Sequence, residues 1–260
     1  MMKLTYVWHD CFLLETAEFS VVFDYWQEPE PGRLLSLIDV EKPLYVVVSH
    51  HHKDHFNKEI FLWAKRFDHI HYVVSKDVFQ SVRYILKDGS TYRGEYRVSP
   101  EQVSVLRPGD VYVANGLQIH AFGSTDTGNS YLLEFNGRFV FHSGDLNAWV
   151  WKDESTDKEV AAALCDFKSK IEPISGVSVR IDLAMFPVDS RIGREYWEGA
   201  KIFVHRFDVS HFVPMHFELG ATGDEVERFR RDAVCFDAYR NVMRGDYHSM
   251  QVPYGSLLVE

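Results

Sequence analysis

Leu44-Tyr45-Val46-Val47-Val48-Ser49-His50-His51-His52-Lys53-Asp54-His55 is the stretch that decides the fold. Pro43 precedes it, and five apolar residues, mostly β-branched or aromatic, run into a polar cluster. That pattern predicts a buried strand with the histidines at its carboxyl end. Side chains alternate along extended backbone, so His50 and His52 point one way and His51 the other. His50 and His52 can therefore share one metal ion. Phe56 to Lys65, apolar at Phe56, Ile60 and Trp63 or Ala64, predicts a short amphipathic helix. Asp54 and His55 fall at the turn into it, within reach of a second ion. Imidazole and carboxylate without thiolate suit Zn²⁺, Fe²⁺ or Mn²⁺.

Four histidines in six residues could also be a surface metal-scavenging tract or an expression tag. A tag sits at a terminus and would not carry Asp54 in register behind a strand. The motif His50-x-His52-x-Asp54-His55 after a hydrophobic strand instead resembles the signature of the metallo-β-lactamase superfamily. The resemblance implies one α/β domain over residues 1–260, a four-layer αββα sandwich with a dinuclear metal cleft at one edge of its two sheets.

Composition bounds the rest. With 46% hydrophobic residues among 260, the chain can bury one large core. A formal charge of −10 argues against a nucleic-acid partner, since phosphate binding needs clustered Lys and Arg. Cys11, Cys165 and Cys235 are odd in number and widely spaced, which suits reduced thiols. No apolar run is long enough to cross a bilayer, and the N-terminus lacks the basic, apolar and small-residue regions of a leader, so a cytoplasmic protein is expected.

Along the chain, strands are predicted at Leu4–Val7, Phe12–Glu15, Ser20–Phe23 and His71–Val74, and a helix at Lys76–Leu86. Short strands then follow at Val103–Leu106, Val111–Ala114, Leu117–Phe122, Tyr131–Phe135 and Phe139–His142. Pro108-Gly109-Asp110, Asn115-Gly116 and Asn136-Gly137 separate them, and all five are assigned to the second sheet. Asp157–Ile171 reads as a helix with Cys165 buried in it. A strand at Ile181–Phe186, a helix at Glu195–Phe207, a strand at Phe212–Phe217, a helix at Asp224–Asn241 and a strand at Tyr254–Leu258 complete the chain.

The remaining site residues follow from the resemblance. Asp145, in His142-Ser143-Gly144-Asp145, matches the Gly-Asp motif whose carboxylate bridges two cations and offsets their repulsion. A helix N-cap is the competing reading of Asp145. His216, in Pro214-Met215-His216, matches the last ligand and completes the second site with Asp54, His55 and Asp145. The third histidine of the first site is missing. Ser124 stands in its place, Asp126 is a plausible carboxylate substitute, and His120 is the other candidate.

His9 corresponds to a histidine of the opening hairpin in the branch resembling ascorbate-6-phosphate lactonases. Asp189 and Arg191 border the implied substrate cleft, where they could touch a substrate anion or pair with each other. Trp149 and Trp151 either wall the pocket or belong to the core. The resemblance implies hydrolysis by a metal-bound hydroxide, with two divalent ions, zinc foremost and Mn or Fe as alternatives, and Asp54 orienting the water and shuttling its proton. The expected substrate is a small ester, lactone or phosphoester. A phosphodiesterase or nuclease of the same superfamily, or a metal-binding relative without turnover, are the other readings. A homo-oligomer is left open.

Overall fold

The computed structural model describes residues 1–86, 96, 98–216 and 253–260. They fall into two compact units, one of Met1–Arg107 with the C-terminal residues and one beginning at Pro108.

The first unit carries a seven-stranded sheet in the order β13-β1-β2-β3-β4-β5-β6. β1 (Met2–Trp8), β2 (Cys11–Glu15) and β3 (Ser20–Phe23) form an antiparallel meander. After a short helix α1 (Arg33–Leu37), strand β4 (Leu44–Val48) lies parallel to β3. β5 (Ile70–Ser75) and β6 (Val103–Leu106) continue in parallel, with helix α2 (Lys76–Leu86) on the crossover between them. β13 (Ser256–Val259) pairs antiparallel with β1. Leu44, Val46 and Val48 pack with Ile60, Phe61, Trp63, Val78 and Val82 in the core. Tyr45 and Val47, on the opposite face, are buried as well. A strand buried on both faces has no reason to alternate, and so it reads as a continuous apolar run.

The short helix expected over Phe56–Lys65 forms as a 3₁₀ helix over Lys58–Lys65. Asn57 sets its start, because its side chain accepts from Glu59 N at 3.0 Å. Val103–Leu106 was expected in the second sheet but pairs with β5 in the first, Tyr72 opposite Val103. A parallel neighbour needs a helical crossover. α2 supplies it, so the change of sheet comes after Leu106.

The second unit carries a six-stranded sheet in the order β12-β11-β10-β9-β8-β7. β7 (Val111–Ala114), β8 (Leu117–Gly123), β9 (Asn129–Phe135) and β10 (Arg138–His142) are antiparallel. Asn115-Gly116 and Asn136-Gly137 turn with positive φ at both residues, between 48° and 78°, as two-residue hairpins require. Helix α3 (Asp157–Ser175) leads to β11 (Arg180–Pro187), and helix α4 (Glu198–Arg206) to β12 (Asp208–Met215). β10, β11 and β12 are parallel.

A capping box between Thr156 and Glu159 starts α3, which continues past the expected Ile171 and buries Phe167, Ile171 and Ile174. Cys165 is exposed, contrary to expectation. It lies two residues, or roughly 200°, from Phe167 and so on the opposite face. Of the other expectations, the helix at Asp224–Asn241 and Cys235 lie outside the described residues. Among the described residues no helix is long and apolar enough to cross a membrane.

In each unit by itself, one rule positions the candidate ligands. Parallel strands bring their carboxyl ends to one edge of a sheet, which is where open α/β sheets bind ligands. In the first unit that edge collects Asp24 after β3, Ser49–His55 after β4 and Asp77 after β5. In the second it collects Asp145 after β10, Asp189 after β11 and His216 after β12.

Candidate metal centre

In the first unit the buried anchor is Asp24, held at φ 41° and bonded through its own N–H to Val47 O at 3.0 Å. Its carboxylate accepts from Ser49 N at 2.7 Å, from Ser49 Oγ at 2.5 Å and from His55 Nδ1 at 2.9 Å. Ser49 Oγ, having donated to Asp24, can accept from His50 Nδ1 at 2.9 Å. This chain of donors places the lone pair of His50 on Nε2. His50 Nε2 then stands 3.0 Å from His52 Nδ1. Two nitrogens each about 2.0–2.1 Å from a tetrahedral zinc stand roughly 3.3 Å apart. The pair therefore fits a shared divalent ion with little movement.

His51 turns away, as alternation predicts. It is exposed, and Asp77 Oδ2 accepts from its backbone N at 2.8 Å and lies 3.0 Å from its Nδ1.

His55 Nε2 lies 3.3 Å from Asp10 Oδ2, and both residues are fully buried. Donor atoms of His9, Asp54 and His55 also lie within 4.8 Å of one another. His9 sits in the two-residue turn between β1 and β2 at φ 57°, where Tyr6 Oη accepts its N–H at 2.8 Å. Its Nε2 is 3.6 Å from Asp54 Oδ2. The His9 imidazole, aided by His55, holds the Asp54 carboxyl well below the usual carboxylate range against the opposing pull of partial burial. Asp54 is therefore ionised at neutral pH, as a ligand or a proton acceptor must be.

In the second unit His216 follows β12 at φ 63°. Its Nε2 is 3.3 Å from Asp145 Oδ1 and its Nδ1 is 3.0 Å from Asp189 Oδ2. A carboxylate on one ring nitrogen directs the other toward a cation and raises its basicity. Asp189 in turn receives Arg191 Nε at 2.8 Å and Nη2 at 2.6 Å, so the mutual pair weighed from the sequence is what forms. Burial alone would raise the Asp189 carboxyl, but His216 and Arg191 outweigh it and hold it down at about 2.

No helix begins at Asp145, so the N-cap reading of that residue is excluded. Carboxylate oxygens of Asp126 and Asp145 lie within 4.8 Å of each other. Ser124 Oγ accepts the backbone N–H of Asp126 at 3.2 Å, and His120 turns to Glu134 at 3.4 Å. Of His120 and Asp126, it is Asp126 that is grouped with Asp145 by donor distance.

Burying this many carboxylates and imidazoles is costly unless they pair or hold a cation. The donor set, imidazole and carboxylate oxygen without thiolate, suits zinc, iron or manganese. Two of the residues involved, Asp10 and Asp24, carry no sequence signal of a ligand role, and Trp149 was expected as pocket wall or core. Asp10 and Asp24 follow ordinary strand ends, and only strand pairing brings them to His55. Trp149 donates its indole N–H to Asp145 O at 2.8 Å.

Residues 3–156 match the family model described as Beta-lactamase superfamily domain. A UPF0173 metal-dependent hydrolase of Korarchaeum cryptofilum is 23% identical over 223 residues, 84% of each chain. Among solved structures, Igni18, a metallo hydrolase from the archaeon Ignicoccus hospitalis, has a similar fold at a TM-score of 0.60 and 17% identity, covering 90% of this chain and 92% of that one. CmlA, a diiron β-hydroxylase from Streptomyces venezuelae, is similar at a TM-score of 0.55 and 13% identity over 83% of this chain and 44% of its own.

Proposed function

This chain belongs to the metallo-β-lactamase superfamily and is a metal-dependent hydrolase, and we propose that it opens a small ester, lactone or phosphoester with activated water. The observation that carries the reading is the paired arrangement of His50 Nε2 and His52 Nδ1 at 3.0 Å, with the His50 tautomer set by Ser49 and Asp24. As metal ligands we propose His50, His52, Asp54 and His55 from the first unit and Asp126, Asp145 and His216 from the second. Two divalent ions, most simply zinc, suit this number of donors. When bound, such ions supply Lewis acidity, acidifying water and offsetting charge on a developing oxyanion.

The chain's own residues do the rest. Asp54, ionised at neutral pH, orients the attacking water and takes its proton on a carboxylate oxygen. His9 Nε2 stands next to Asp54, where it can steady that carboxylate or contact the substrate. Arg191 keeps part of its guanidinium exposed while holding Asp189, so it remains available to a substrate anion. The net negative charge disfavours a polyanionic substrate and favours a small molecule.

Parallel assays with simple lactones, aryl esters and bis-p-nitrophenyl phosphate, each with and without chelator, test this reading. Lactone or ester hydrolysis is expected to dominate and to fall about 100-fold or more on chelation, returning with added zinc, manganese or iron. Turnover of the phosphodiester alone would move the chain to the phosphodiesterase reading. Turnover that survives chelation would contradict metal dependence.

A further inference from the structure

We propose that Trp149 is a positioning residue that fixes the main chain at Asp145, and through it the direction of the carboxylate, together with the His216 imidazole before any ion arrives; this rests on the metal reading above. Trp149 has φ 43°. For a bulky residue this is a backbone outlier that persists only where its surroundings hold it. Trp149 packs against the core of the second unit, and two further contacts tie it to two different candidate ligands. Its Nε1–H donates to Asp145 O at 2.8 Å. Its ring meets the His216 imidazole edge to face, with centroids 5.4 Å apart and planes at 68°. His216 is thus fixed on two sides, by Asp189 at Nδ1 and by the indole against its ring, which leaves Nε2 aimed at Asp145.

The loop that carries Trp149 is anchored independently along its length. Thr125 Oγ1 donates to Asn147 O at 2.7 Å and lies 3.1 Å from Asn147 N. Gly199, at the start of α4, makes room for the loop, since a Cβ there would collide with the Asn147 side chain and lie 3.0 Å from Ala148 N. Further on, Lys152 pairs with Glu195 and Glu198, and Asp153 accepts from Arg194 N at 2.8 Å. The strained residue is therefore clamped between a glycine-lined seat and a salt-bridged end.

Trp149→Phe keeps a ring against His216 and removes the indole N–H. Co²⁺ titration of the full chain reads both affinity and ligand geometry. The expected result is Co²⁺ binding weakened about 10-fold or more, the size typical of lost outer partners, with altered ligand-field bands. The unfolding midpoint of the chelator-treated protein should be unchanged. Trp151→Phe, in the same loop at an exposed position, should bind like wild type. Binding within twofold of wild type and an unaltered spectrum in Trp149→Phe would overturn the role of Trp149 alone. If that variant does not fold, the benzothienyl isostere at position 149, which keeps the shape and lacks the N–H, is judged by the same two readouts. Wild-type protein that binds no Co²⁺ would overturn the metal reading and this role with it.

Discussion

Asp24→Ala is expected to lower the free energy of unfolding by roughly 4 kcal/mol, measured by urea denaturation in the presence of chelator. The carboxylate accepts three hydrogen bonds in a site with almost no exposure. Alanine leaves the N–H and Oγ–H of Ser49 and the Nδ1–H of His55 without their acceptor. Each such buried donor costs about 1–3 kcal/mol, with some relief from water or rearrangement. Against a typical total of about 5–15 kcal/mol this is a large fraction. Asp24→Asn, which keeps one acceptor oxygen, should lose less. A loss below about 1 kcal/mol for the alanine variant would show that Asp24 does not anchor the histidine loop.

The second large effect is expected from Asp145→Ala. If Asp145 is the carboxylate that offsets the repulsion between two cations, nothing else among the proposed ligands replaces it, and tight binding of both ions is lost. His216 also loses the partner that its Nε2 faces at 3.3 Å. Hydrolytic activity should fall by more than the roughly 100-fold that an outer partner costs. Unfolding should change much less than in Asp24→Ala, because fewer buried donors are orphaned. Retention of two ions per chain in Asp145→Ala, measured by elemental analysis, would remove the bridging assignment.

What the sequence displayed, and what it hid, follows from how each feature is built. β4 was legible because burial on both faces leaves an unbroken apolar run. The hairpins at Asn115-Gly116 and Asn136-Gly137 were legible because few other residue pairs tolerate that backbone. α2 was legible over its full length because Val78, Val82, Ile85 and Leu86 recur at helical spacing. The sheet to which Val103–Leu106 belongs was not, because strand partners depend on the crossover and leave no mark in a four-residue strand. The exposure of Cys165 was legible in principle from its angle to Phe167, but the mixed small residues Ala161, Ala162 and Ala163 blur which face of α3 is apolar.

The candidate site divides in the same way. His50, His52, Asp54 and His55 are contiguous, so the spacing that makes them donors is also visible as a motif. Asp10 and Asp24 are single residues beside strands that alone look like turn residues, and Trp149 alone reads as pocket wall or core. Parallel pairing of β3 with β4 brings Asp24 to Ser49, and the Asp145–Trp149 turn brings an indole back onto its own carbonyl. Neither step has a sequence signal shorter than the fold itself.

The proposed ligands, the histidines after β4 and Asp126, Asp145 and His216, hold divalent ions on this proposal. Elemental analysis of protein purified without added metal or chelator tests it most directly, with Asp126→Ala alongside wild type. The account predicts two divalent ions per chain in wild type, with zinc the most abundant, falling to one in the variant. Wild-type protein that carries no divalent ion, even after dialysis against zinc, manganese or iron, would contradict it.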